Sequence, residues 1–166
     1  MSLLESAIDS GSDPLQVVED VASVHDWSFE RSGADEVTIL VKGKWTDYQV
    51  SFTWMPEIEA LHLACTFDMK IPEARKIEAQ RLVALINEQL WVGHFDQWSQ
   101  SGLVMYRMAL MLTGGIEATA LQCEAMLASA TDACERYYPA LQFVVWAGKS
   151  AREAMDAAMF DTSGEA

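Results

Sequence analysis

Between Asp35 and Ile71 the apolar residues recur at every second position, the period of strands that bury one face. Val37, Ile39 and Val41 alternate with Thr38 and Lys42 before a Gly43-Lys44 turn. Tyr48, Val50, Phe52 and Trp54 then alternate with Asp47, Gln49, Ser51 and Thr53; after Pro56-Glu57 the pattern returns in Leu61, Leu63, Cys65, Phe67 and Met69. Connections this short join antiparallel neighbours, so the segment predicts a meander with one buried face. A short strand is expected around Ser28–Arg31, before the Ser32-Gly33-Ala34 turn. Two more are expected at His94–Ser99 and Leu103–Leu112, with Gln100-Ser101-Gly102 between them. The last is apolar on both faces, which predicts a central or doubly covered position.

Around these strands the period lengthens to nearly four. Asp13 caps a helix with Pro14 in its first turn, running to about Trp27 with Val18, Val21, Ala22 and His25 on one face. Pro72-Glu73 starts a second helix, whose Ala79, Leu82, Val83, Ile86 and Leu90 share a face. After Thr113-Gly114-Gly115, Glu117 marks a third helix start, and Ile116, Ala120, Cys123, Leu127, Ala130, Cys134, Leu141 and Val145 form one stripe. Pro139 interrupts it and predicts a break or kink near Tyr138. Ser150 to Glu153 is a capping-box pattern opening a last short helix. The expected fold is α+β: an antiparallel sheet of about five to six strands with helices packed against it, in the order α, three or four β, α, β, β, α. Residues 1–12 read as a flexible leader, 13–160 as one domain and 161–166 as a loose tail.

The 166 residues are 51% hydrophobic and 22% charged, which suits a folded chain with a substantial core. Twenty-five acidic against 11 basic side chains give a formal charge of -14, with the acidic excess in the terminal thirds. That argues against nucleic acid and anionic membranes as partners. The opening residues hold no basic cluster and no apolar run approaches the roughly 18 residues of a membrane span, so neither export nor anchoring is expected. Cys65, Cys123 and Cys134 are odd in number and lack CxxC spacing, which suits core thiols in a reducing cytoplasm.

Catalytic chemistry finds little support. His25, His62 and His94 belong to no metal-binding spacing, and Cys123 and Cys134 stand about 16 Å apart along one helix. Thr113-Gly114-Gly115 lacks the Lys of a phosphate loop, and GxSxG is absent. No catalytic residue, metal ligand or cofactor site is therefore assigned. Leu40, Trp45 and Met55 fall among mainly polar strand neighbours and are candidates for a partner or homodimer surface. Arg107 lies in an apolar strand and must reach solvent or be paired. Asp96 on the preceding strand is the expected partner, with an anionic ligand as the alternative.

The run Asn87-Glu88-Gln89-Leu90-Trp91-Val92-Gly93-His94-Phe95, then Gly102 to Arg107, then Tyr137-Tyr138-Pro139-Ala140-Leu141 with Gly148, resembles the YbjN family of bacterial sensory-transduction regulators. The resemblance covers roughly residues 13 to 160 and implies a fold like that of the type III secretion chaperones, without catalytic residues or cofactors. The expected role is that of a non-enzymatic cytoplasmic regulatory or chaperone-like protein-binding domain, with a protein partner and a homodimeric state. The alternative is a small-molecule sensor with a pocket lined by Trp and Met. An enzyme is the third possibility, requiring a cleft that holds His94 or Cys65 beside an ionised partner.

Overall fold

The computed structural model describes residues 13–164; the leader expected at 1–12 and the last two residues of the tail lie outside the described residues. The chain starts with α1 (Pro14–Val24), capped by Asp13, whose Oδ1 accepts from the Leu15 N–H at 3.0 Å. The helix stops three residues before Trp27, because Asp26 turns into the left-handed region at φ 57°. Val18, Val21 and Ala22 are buried as their spacing predicts. His25 instead leaves that face, stacking on Trp27 at 4.3 Å and reaching Glu124 at 3.2 Å.

Four strands follow, β1 (Phe29–Arg31), β2 (Glu36–Lys42), β3 (Asp47–Met55) and β4 (Ala60–Lys70). A single 3-10 turn at Glu73–Arg75 leads into α2 (Lys76–Asn87), then come β5 (His94–Gln97) and β6 (Leu103–Met111). The chain ends in α3 (Ala120–Val145) and α4 (Ala151–Gly164). All six strands form one antiparallel sheet in the order β1-β2-β3-β4-β6-β5.

One sheet face carries the helices. Tyr48, Val50, Phe52, Leu61, Leu63 and Cys65 from β3 and β4 are fully buried on it, together with Ala130, Cys134 and Leu141 of α3. Aromatic rings meet edge to face through this layer: Phe95 on Tyr106 at 5.6 Å and on Tyr137 at 6.2 Å, Phe67 on Tyr138 at 5.4 Å. The helices are also tied to each other. Arg75 donates to the carbonyls of Val144 at 2.7 Å and Lys149 at 2.5 Å, and Glu78 accepts from the Ala151 N–H at 2.9 Å, so charges on or beside α2 satisfy the end of α3 and the start of α4.

Three expectations about the second half of the chain need correction. α3 runs unbroken through Pro139: the ring removes one helical bond, at a cost of about 3 kcal/mol, while Tyr137, Tyr138, Ala140 and Leu141 around it are all buried. The helix starts at Ala120 through a Thr119–Gln122 capping box rather than at Glu117, which leaves Ile116 and Ala120 exposed. β6 is neither central nor doubly covered. It lies next to the edge, with Met111 60% exposed on its second face. The last helix runs to Gly164.

Candidate interaction surface

Among the described residues, no helix covers the second face of the sheet. Strand register places its residues in rows: Met55, Ala60 and Met111; then Thr53, His62 and Ala109; then Thr38, Ser51, Ala64, Arg107 and His94; then Leu40, Gln49, Thr66, Met105 and Asp96. The middle is low and polar, with Thr38 and Ser51 hydroxyls 3.1 Å apart. Alternation along each strand produces this directly, since residues one position from the buried set point away from the helices.

The third and fourth rows bring the expected pair together. Arg107 Nη1 donates to Asp96 Oδ2 at 2.8 Å. Its Nε donates to His62 Nε2 at 3.2 Å, so that ring nitrogen holds a lone pair and the proton sits on Nδ1. Burial, then the Arg107 and His94 charges, push the His62 pKa below its ordinary value. Burial alone would raise the Asp96 carboxyl, but Arg107 and His94 outweigh it and hold it below its ordinary value. His94 stands 3.4 Å from the same carboxylate oxygen. With His62, Val92, Gly93, Ala109 and Met108, His94 and Arg107 line a shallow cleft of about 360 Å³. Two of the guanidinium's donors are engaged within the protein, which favours a positioning role over capture of an anion.

Leu40 and Met55 lie on this bare face, 41% and 38% exposed, and Trp45 lies beside it at the tip of the β2–β3 hairpin, 46% exposed. The three do not make one patch. Leu40 pairs with Gln49, and Met55 lies six residues further along β3, about 20 Å away. Trp45 shares the Leu40 end, with Lys44 Nζ 4.8 Å over its ring, and the turn is held to α3 by the Lys44 N–H, which donates to Glu135 at 2.9 Å. Met55 shares the opposite end with Met111.

Sequence reasoning passes over three residues here. His62 is 45 residues from Arg107, and only the β4–β6 register, shifted between Thr66 and Lys70, brings them together. Met111 reads as core in an apolar run. Trp91 is 99% exposed on the loop between α2 and β5, next to a second cleft of about 350 Å³ that also includes Asp132, Arg136 and Tyr137. That loop is fixed: the Tyr106 hydroxyl donates to the Val92 carbonyl at 2.8 Å, and Gly93 sits at φ 69° where a Cβ would overlap Tyr106.

The cysteines are buried. Burial pushes the Cys123 thiol up to about 11, and Cys134, 3.6 Å from Cys65, is raised by that contact and by burial. Among the described residues no group of three His, Cys, Asp or Glu side chains is placed to hold a metal, and no helix is long and apolar enough to cross a membrane.

Solved structures with this architecture include the ExsC–ExsE complex, at a TM-score of 0.53 and 18% identity over 82% of this chain and 96% of that one. The HopA1–SchA chaperone–effector complex matches at 0.51 and 11% identity over 71% and 87%. YbjN from E. coli matches at 0.53 and 7% identity over 73% and 85%. These likenesses show a secretion-chaperone-like fold. No curated protein matches the chain in sequence. The residues of the recognised pattern are largely structural: Phe95, Tyr106, Tyr137 and Tyr138 are the aromatic layer, and Asn87 binds Phe95. The family model described as "Putative bacterial sensory transduction regulator" matches residues 14–143, and the chain belongs to that family, YbjN.

Proposed function

We propose that the chain is a non-enzymatic cytoplasmic regulator or chaperone-like protein that receives an extended polypeptide segment on the bare face of its sheet. The observation carrying this reading is that face itself: a flat polar floor with apolar side chains at both ends, Leu40 and Trp45 at one and Met55 and Met111 at the other. Their separation of about 20 Å is the span of six extended residues, which suits a strand-like segment better than a compact metabolite. With a formal charge of -14, a segment of basic and apolar residues is the complementary occupant. The titles of the ExsC–ExsE and HopA1–SchA structures name complexes, the second of a chaperone with its effector, and a similar role for this chain agrees with its shared fold.

The cleft does hold His94 3.4 Å from Asp96, the arrangement an enzyme would need, but that carboxylate is paired with Arg107 and no Ser, Thr or Cys lines the cleft. The buried thiols support the non-enzymatic part too, since a thiol pushed up to about 11 is a poor nucleophile at neutral pH. Their odd number supports a reducing compartment. The sensor alternative needs a closed pocket lined by Trp and Met; the two clefts described, of about 360 and 350 Å³, are open to solvent, and the first carries Met108 without a Trp, the second Trp91 without a Met.

Affinity capture from the native cell, run in parallel with the wild-type chain and with a Met55→Lys, Met111→Lys variant, tests the reading. One polypeptide is expected on the wild type and absent from the variant, with both chains melting alike. A partner held equally by both, or a bound metabolite in place of any polypeptide, overturns it.

A further inference from the structure

Two of the three cysteines meet in the core. Cys65 lies in the middle of β4 on the helix side, between Val50 of β3 and Tyr106 of β6 in the strand register. Cys134 lies near the middle of α3. Both are fully buried free thiols, and their Sγ atoms stand 3.6 Å apart although the residues are 69 positions apart in the chain. We propose that this pair is a redox latch: hydrogen peroxide oxidises it to a disulfide that joins α3 to the centre of the sheet, and a dithiol reductant releases it.

The geometry singles out these two sulfurs. Bond formation requires them to approach by ~1.5 Å, from contact to the length of a disulfide bond. β4 is able to supply part of that movement, because its register against β6 becomes irregular between Thr66 and Lys70, directly after Cys65. Cys123 is buried as well, but it stands three helical turns before Cys134, about 16 Å along the axis, and reaches neither thiol.

The contact also assigns the roles. The Cys134 S–H donates to the Cys65 sulfur, so Cys65 is the sulfur better placed to carry the charge of an attacking thiolate. Contact with Cys65 and burial keep the Cys134 proton in place. Cys65 attacks one peroxide oxygen: the S–O bond forms, the O–O bond breaks, and the departing oxygen leaves as water with the proton that Cys65 gave up. Cys134 then attacks the Cys65 sulfenic acid: the S–S bond forms, the S–O bond breaks, and the hydroxyl leaves with the Cys134 proton as a second water. The two sulfurs have lost two electrons, and the peroxide has taken them. Burial selects the oxidant by size. Hydrogen peroxide is little larger than water and enters through small openings, whereas glutathione disulfide requires the helix layer to part. The latch works on the helix side of the sheet, and its test requires no polypeptide partner, so it stands or falls apart from the site proposed above.

Treating the folded full chain with hydrogen peroxide, alkylating the remaining thiols in denaturant and mapping the peptides by mass spectrometry tests the proposal. One intramolecular Cys65–Cys134 bond is expected, with the chain lighter by two hydrogens, Cys123 still alkylated, and all three thiols restored by dithiothreitol. The oxidised chain should melt about 10 °C above the reduced one, as closure of a loop this long predicts. Cys123→Ala should keep the bond and the shift, and Cys134→Ala should lose both. Glutathione disulfide should form the bond at least about tenfold more slowly than peroxide at equal concentration. Three free thiols after peroxide, a bond that forms only in urea, a bond through Cys123 or between two chains, or oxygenation that dithiothreitol does not reverse overturns the proposal. An oxidised chain that melts at or below the reduced one, or a melting rise that persists in Cys134→Ala, overturns it too.

Discussion

The two faces of the sheet are written by alternate residues of the same strands, and they differ in almost every physical respect. On the helix side β3 and β4 present Tyr48, Val50, Phe52, Leu61, Leu63 and Cys65, all without exposure. On the other side the same two strands present Gln49, Ser51, Thr53, His62, Ala64 and Thr66, small or polar and in contact with water. Stability is therefore concentrated on one face, and the other holds its shape because the strands beneath it are fixed. Side chains on the bare face are free to vary with little effect on folding, which is what a recognition surface requires.

The sharpest way to break that contrast is to truncate neighbours on opposite faces of β3. Phe52→Ala is expected to cost about 3 to 5 kcal/mol in urea denaturation, through lost burial and the cavity left behind. Thr53→Ala, one residue along, should stay within about 0.5 kcal/mol. Equal losses at the two positions would remove the distinction between the faces.

The Arg107 cluster is the part of the bare face that does contribute to stability, and its contribution is modest because both partners are about one-third exposed. A double-mutant cycle between Arg107→Ala and Asp96→Ala is expected to return a coupling of about 0.5 to 1 kcal/mol. Arg107→Met, which keeps an apolar stem over the strand, should melt above Arg107→Ala. A coupling of zero would leave the guanidinium without a structural role.

The smallest effect expected is a pH dependence from His62. Its folded pKa lies below the ordinary 6.5, so the unfolded chain takes up the proton first. Stability from the neutral ring is complete above about pH 6.5 and is lost as the pH falls through the folded value. Urea midpoints should therefore decline from about pH 7.5 to about pH 5, and part of that decline should vanish in His62→Gln, whose amide oxygen still accepts from Arg107. The difference between the two curves is the measurement. Identical curves would mean that burial and the neighbouring charges do not hold the ring neutral.

Most of this contrast is legible in the sequence, because alternation in β2, β3 and β4 reports which residues are buried without any knowledge of neighbours. The Asp13-Pro14 cap, the buried face of α2 and the core thiols follow from equally local signals. The rest is not local. Nothing near Pro139 says that buried tyrosines on both sides will hold the helix together, and an apolar strand such as β6 reads the same whether its second face is covered or bare. The Arg107–Asp96 contact follows from hairpin geometry, whereas His62 joins it only through a register that includes an irregularity. Trp91 lies in a loop, where hydrophobic periodicity has no meaning, so its exposure has no sequence signal.

Asn87, at the end of α2, accepts from the Phe95 N–H at 2.8 Å and donates to the Phe95 carbonyl at 3.1 Å. Phe95 is on the outermost strand, and one side-chain amide thus occupies both backbone groups that this residue would offer an incoming strand. Gln97 is drawn back to the Lys76 carbonyl at 3.3 Å on the same border. These contacts blunt the sheet on that side against templated growth, the edge-to-edge stacking by which open sheets become fibrils. The opposite edge is the three-residue β1, too short to template a long strand, so both borders of the sheet offer little to an incoming chain.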